Sequence, residues 1–313
     1  MSKSLRNRDF LTLQDFTLDE LWSILRLARD LKLRFYSGER IIPLLRGKTL
    51  AMIFQKPSTR TRISFSVGMY QLGGRALYLN WNDLQLRRGE TIEDTARVLS
   101  RYVDAIMARV YAHKDLEDLA AAATIPVING LSDLFHPCQI LSDMFTIWEK
   151  KGRLKGLTLS YVGDAANNIA HSLLIGCSKF GLNIKMGCPK GYEPKKKVLK
   201  MALKNAEVSG SKIEIFNSPV EAVKDTDVIY TDVWVSAGQE AETEIRMKVF
   251  PPFQVNRALL EKAPSDVMVM HCLPAKRGLE ITDEVIDGPN SIVWDQAENR
   301  LHVQKALLAL ILQ

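Results

Sequence analysis

The sequence predicts an α/β protein of two lobes, each a parallel sheet flanked by helices, with the C-terminal helix packing back on the first lobe. Three observations carry this. Short apolar runs alternate with stretches of helical spacing along most of the chain, the pattern of parallel sheets covered on both faces. The rhythm breaks once, at the polar stretch Lys150-Lys151-Gly152-Arg153, and then repeats. Residues 297–312 form one more apolar, helical segment after the last strand. Lobes of 1–150 and 151–293 follow, with 294–313 returning to the first.

In the first lobe, Thr17 and Glu20 form a capping-box pattern. Leu18, Leu21, Trp22, Leu25 and Ala28 continue it at helical spacing to residue 36. Residues 48–54 read as a buried strand. A helix over 59–72 stops at Gly73-Gly74. A strand at 76–79, a helix at 90–101, strands at 105–108 and 127–128 and a helix at 139–150 complete the lobe. In the second, strands are predicted at 157–162, 183–188, 227–231 and 267–270. Helices fall at 168–180, ending at Gly181, and at 195–207.

Bulk properties narrow the function. The 313 residues, 46% hydrophobic and 25% charged, suit a globular protein with substantial cores. No apolar run approaches the roughly 18–20 residues that span a bilayer. The first residues carry positive charge with no apolar run behind it, so no secretory signal is read and a cytoplasmic location is expected. Cys138, Cys177, Cys188 and Cys272 are widely spaced and include no C-x-x-C pair, and no H-E-x-x-H occurs. No structural metal is expected. The net charge of +6 is scattered, which fits an anionic substrate better than nucleic acid. The one dense run, Lys195-Lys196-Lys197, reads as a solvated first helical turn.

Chemistry gathers where strands end. Ser58-Thr59-Arg60-Thr61-Arg62 links a buried strand to a helix. A helix N-terminus offers free N–H groups and partial positive charge, and hydroxyls with a guanidinium fork suit phosphate oxygens. The plainer alternative is an ordinary Ser/Thr cap. His136-Pro137-Cys138-Gln139 opens another helix, placing an imidazole and an amide on one face. Val162-Gly163-Asp164-Ala165-Ala166-Asn167-Asn168 follows a strand but lacks G-x-G-x-x-G, so a dinucleotide is disfavoured. Asp232, Ser236-Ala237-Gly238 and His271-Cys272-Leu273-Pro274 follow later strands. Asp232 suits an ammonium; Cys272 alone reads as a nucleophile, a proton acceptor or a buried thiol.

Taken in order, these blocks resemble the transcarbamylases almost end to end, including Asp83-Leu84-Gln85-Leu86 and Glu298-Asn299-Arg300-Leu301-His302. The Asp232 block and His271-Cys272-Leu273-Pro274 are similar to the ornithine branch. The resemblance implies transfer from carbamoyl phosphate to L-ornithine, giving L-citrulline and phosphate, without a cofactor. The alternative is another amine acceptor, such as putrescine or an acylated ornithine. It implies that Ser58, Thr59, Arg60 and Thr61 hold phosphate, and that Arg109 and His136 polarise the carbamoyl oxygen. Gln139 would orient the carbamoyl nitrogen, with Arg300, Cys272 and Leu273 also facing carbamoyl phosphate. Asn168, Asp232, Ser236 and Ala237 would bind ornithine. Arg109, His136, Asp232 and Cys272 would be catalytic. Residues 1–150 would bind carbamoyl phosphate and 151–293 ornithine. A homotrimer, or a multiple of it, would share sites through Gln85. The family usually reads Ser-Met-Gly where this chain has Ser236-Ala237-Gly238. Lost methionine packing on the acceptor would be worth about 1–3 kcal/mol.

Overall fold

A computed structural model describes residues 5–236 and 238–313. The expected capping box forms: the Thr17 hydroxyl accepts from the Glu20 amide, and the Glu20 carboxylate accepts from Thr17 N–H. It opens α1 (Leu18–Tyr36). The chain continues through β1 (Thr49–Phe54), α2 (Thr59–Gln71), β2 (Arg75–Asn80), α3 (Ile92–Leu99), β3 (Ala105–Arg109), α4 (His113–Ala122), β4 (Val127–Leu131) and α5 (Pro137–Lys151). The second series is β5 (Thr158–Val162), α6 (Asn168–Phe180), β6 (Asn183–Gly187), α7 (Lys196–Ser209), β7 (Ile213–Phe216), α8 (Pro219–Val223), β8 (Val228–Thr231), α9 (Thr243–Val249), α10 (Arg257–Leu260), β9 (Met268–His271), α11 (Asp283–Ile286) and α12 (Val293–Leu312).

Every strand pairing is parallel, in two sheets ordered β2-β1-β3-β4 and β7-β6-β5-β8-β9. The central strands are buried on both faces, as β1 shows from Leu50 to Phe54. Burying each large aliphatic side chain is worth roughly 1.5–3 kcal/mol. The chain divides into two compact units: Met1–Phe145 with Glu298–Gln313, and Thr146–Ala297. In the first unit, α12 returns to the earlier helices. Lys305 Nζ donates to Gln71 at the end of α2, and Lys32 on α1 donates to Asn299. Among the described residues, no helix is long and apolar enough to cross a membrane.

Several elements went unread in the sequence. Helix α4 buries only Leu116 and Leu119, too short a stripe to stand out. Strand β7 is a four-residue edge strand with partly exposed side chains. Helices α8 to α11 are four to seven residues long, below the length at which periodicity speaks. One glycine is forced by packing: a Cβ at Gly288 would run into the backbone carbonyl of Glu284 on α11.

Candidate active site

Each sheet reverses its strand order once, and ligands of open parallel sheets gather at the carboxyl ends beside such a reversal. In the first sheet the reversal lies between β1 and β3, whose last residues, Phe54 and Arg109, are register partners. In the second it lies between β5 and β8, where Val162 pairs with Thr231 and Thr231 with His271. Both positions coincide with motifs singled out from the sequence.

In the first unit, Ser58 is the N-cap of α2, its Oγ accepting from Thr61 N–H at 3.2 Å. The plain capping role is therefore real. Thr59 and Arg60 stand at the same helix start, Thr59 exposed and Arg60 half-buried, with Arg62 exposed beyond them. Arg300, reaching in from α12, joins two motifs. Its Nη1 donates to Gln139 Oε1 at 2.6 Å and its Nη2 to Thr61 Oγ1 at 3.3 Å. Gln139 Nε2 in turn donates to Asp143 at 2.9 Å, fixing the amide's orientation. His136 lies buried just before α5. Burial first, then the charges of Arg300, Arg109 and Arg60, hold its pKa well below the usual histidine value. The ring is therefore neutral near pH 7 and amid three guanidinium groups. Those four cationic or imidazole groups with Thr61 and Gln139 form a cluster whose charge and donors suit an anion. Gln85 does not join it. It stands at the start of a 3-10 turn, Gln85–Arg88, with no part in these bonds.

In the second unit, the Cys272 thiol donates to Asp232 Oδ1 at 3.1 Å. Asp232 is buried, which raises its pKa, while His271 and the thiol contact pull it back. Asn167 faces this carboxylate, with Nδ2 3.4 Å from Asp232 Oδ2 and 2.9 Å from the Tyr161 hydroxyl. Asn167 also caps α6, accepting from Ala170 N–H. Asn168 is the half-buried first residue of that helix. Ser236 is half-buried in a turn closed by Gln239, whose Oε1 accepts from Ser236 N–H. Leu273 is half-buried with φ +58. Ala237 lies outside the described residues.

Two residues went unread in the sequence. Arg246 on α9 donates to Asp164 Oδ2 at 2.7 Å and to the Trp234 carbonyl at 2.6 Å, tying the 232–250 segment to the β5–α6 loop. Glu280 meets the His271 ring. A lone Arg-Met-Lys or Leu-Glu-Ile in the sequence carries no signal of either pairing. Asp232, His271 and Cys272 place ligand-type atoms within 4.8 Å of one another. Both His271 nitrogens, however, are engaged: Nδ1 accepts from Leu273 N–H and Nε2 meets Glu280. A cation taking that ring would have to displace one of these bonds.

A family model described as the carbamoyl-P binding domain of aspartate/ornithine carbamoyltransferase matches residues 8–149, and one described as its Asp/Orn binding domain matches 155–311. An ornithine carbamoyltransferase of Pyrococcus horikoshii is 64% identical over 312 residues, covering 100% of this chain and 98% of its own. One from Bacillus subtilis is 55% identical over 309 residues, covering 99% and 95%. The solved structure of the Pyrococcus furiosus ornithine carbamoyltransferase superposes with a TM-score of 0.95 at 64% identity, covering 99% and 98%. That from Thermus thermophilus gives 0.87 at 40% identity, covering 97% and 99%. With both domain models matched in sequence, relatives aligned from end to end and the same backbone, the chain belongs to the aspartate/ornithine carbamoyltransferase family.

Proposed function

We propose that the protein is an ornithine carbamoyltransferase, forming L-citrulline and phosphate from carbamoyl phosphate and L-ornithine. The observation that carries the acceptor end is the Asp232–Cys272 contact beside Asn167, a buried anionic and polar site suited to an amine. The donor end rests on Arg60, Arg109, His136 and Arg300 around Thr61 and Gln139.

The chemistry follows from these residue types. Phosphate is held by Ser58, Thr59, Arg60 and Thr61 at the N-terminus of α2. Arg109 and neutral His136 donate to the carbamoyl oxygen, where negative charge develops as the tetrahedral intermediate forms. Loss of one such donor typically costs about 10²–10³-fold in rate. A neutral imidazole suits this role, since it donates one N–H without adding a buried charge. Gln139 and Arg300 orient the carbamoyl group, and Leu273 borders it. Asp232 attracts the acceptor's ammonium, and Asp232 with Cys272 takes part in removing its proton. That step is required, because a free alkyl amine titrates near pH 10.4. The neutral δ-nitrogen attacks the carbamoyl carbon, the C–O bond to phosphate breaks, and phosphate leaves against Arg60, taking up the second proton that the nitrogen loses. Asn168, Ser236 and Ala237 hold the remainder of ornithine. No cofactor enters this scheme.

Residues 1–150 would carry the carbamoyl phosphate site, 151–293 the ornithine site, and 294–313 would return Arg300 to the first. We also read the protein as a homotrimer or a multiple of it. Ile63 and Tyr70 on α2 and Leu77 and Tyr78 on the edge strand β2 are exposed apolar side chains that self-association would cover. Gln85 would then reach carbamoyl phosphate of a neighbouring copy. Initial rates of citrulline and phosphate formation, each measured with one substrate omitted, test the reading. Equal yields that require both substrates support it; phosphate release independent of the amine refutes it.

A further inference from the structure

His271 and Glu280 are both fully buried, with His271 Nε2 3.0 Å from Glu280 Oε1. The other ring nitrogen, Nδ1, accepts from Leu273 N–H at 2.9 Å. A nitrogen that accepts cannot carry a proton, so the proton sits on Nε2 and is donated to Glu280. The same Glu280 oxygen accepts from Lys276 N–H at 2.6 Å. His271 N–H donates to Gln296 Oε1 at 2.9 Å, which fixes the residue from the α12 side. All these bonds fall on residues 271–276, the segment that bends around Cys272. Leu273 within it has φ +58, a left-handed conformation that side chains with a Cβ adopt only when held.

We propose that Glu280 and His271 are a positioning pair for the reaction. Glu280 fixes the imidazole in its Nε2–H form, leaving Nδ1 to lock the Cys272–Leu273 turn so that the thiol meets Asp232. The hydrogen-bond geometry matters here, not the negative charge of Glu280. The proposal rests on the reading of Asp232 and Cys272 as the acceptor end.

Two variants separate the roles. In His271→Gln, the amide nitrogen stands near Nε2 and still donates to Glu280, but nothing accepts from Leu273 N–H. In Glu280→Gln, Oε1 still accepts from His271 and Lys276. The first readout is the rate of Cys272 alkylation by iodoacetamide, which depends on no substrate. The other three cysteines are buried. H271Q should alter that rate by more than about threefold and raise the KM for ornithine about tenfold, with the KM for carbamoyl phosphate within about twofold. E280Q should stay within about threefold of the parent in every measure. E280A, which removes the acceptor from the other side, should follow H271Q and stands in for it should H271Q not fold. An H271Q alkylation rate within threefold of the parent overturns the pair, and so does an E280Q variant as impaired as E280A. If the parent protein carbamoylates ornithine no better than other amines, the acceptor reading fails while the alkylation comparison still decides the pair.

Discussion

Cys272 donates its thiol proton to Asp232 Oδ1 across 3.1 Å, joining the carboxyl ends of β9 and β8. An acid and a nucleophilic group thus meet next to the sheet's reversal point. Asp232→Asn keeps the shape and an acceptor oxygen but removes the charge that attracts an ammonium. The expected result is a fall of about 10²-fold or more in kcat/KM for ornithine, with the KM for carbamoyl phosphate little changed. Cys272→Ser, which still donates, should be milder than Cys272→Ala. Steady-state kinetics with each substrate varied in turn checks both.

Arg300 bridges Thr61 and Gln139 and is the largest charge acting on His136. Replacing it with Met should raise the His136 pKa, because one neighbouring positive charge disappears. Burial remains, so the value should stay below that of an exposed histidine. The KM for carbamoyl phosphate should rise about tenfold or more as a charge-assisted contact is lost. Histidine proton resonances followed against pH, assigned with a His136→Gln control, show the first effect.

Arg246 and Asp164 form a buried ion pair at 2.7 Å. Burial raises the Asp164 pKa and the guanidinium holds it down. Arg246→Met therefore leaves a carboxylate without its partner and should cost about 3–5 kcal/mol of stability. The double variant with Asp164→Asn should recover much of that loss. Urea denaturation at fixed protein concentration measures both; equal losses in the single and double variants would contradict the pairing.

Lys305 is buried on α12, and burial lowers its pKa from 10.5 to about 8. The unfolded chain thus holds this proton between those values while the folded chain has released it. Stability from this group is greatest above pH 10.5 and falls as pH drops toward 8. Below that range the charged form carries a penalty on the order of 3 kcal/mol. Lys305→Met removes the penalty, although it leaves Gln71 without its donor. The unfolding free energy of the parent should gain on that of the variant as pH rises from 8 to 10.5. Parallel curves would contradict the assignment.

Local pattern revealed the strand ends that matter. Thr61, His136, Gln139, Asp232 and Cys272 each sit within a few residues of a strand or helix boundary, where hydrophobic periodicity switches. Arg300 was reachable only through the resemblance, because its partners Gln139 and Thr61 are 161 and 239 residues away. Arg246 and Asp164, 82 residues apart, leave no local trace at all. Glu280 sits in the charged, glycine-containing run Lys276-Arg277-Gly278-Leu279-Glu280, which looks like an exposed loop. Only its tertiary pairing with His271 buries it. In the sequence Asn167 is one amide of a loop, whereas as the N-cap of α6 it meets Asp232.

Ala237 stands where the resemblance implies methionine, which makes the identity of the acceptor the sharpest point to test. The decisive measurement is kcat/KM for ornithine, putrescine, acetylornithine and aspartate, each with saturating carbamoyl phosphate. Ornithine should exceed every other amine, with aspartate inert because Asp232 would repel a further carboxylate placed beside it. Faster turnover of any of the other three would contradict the account.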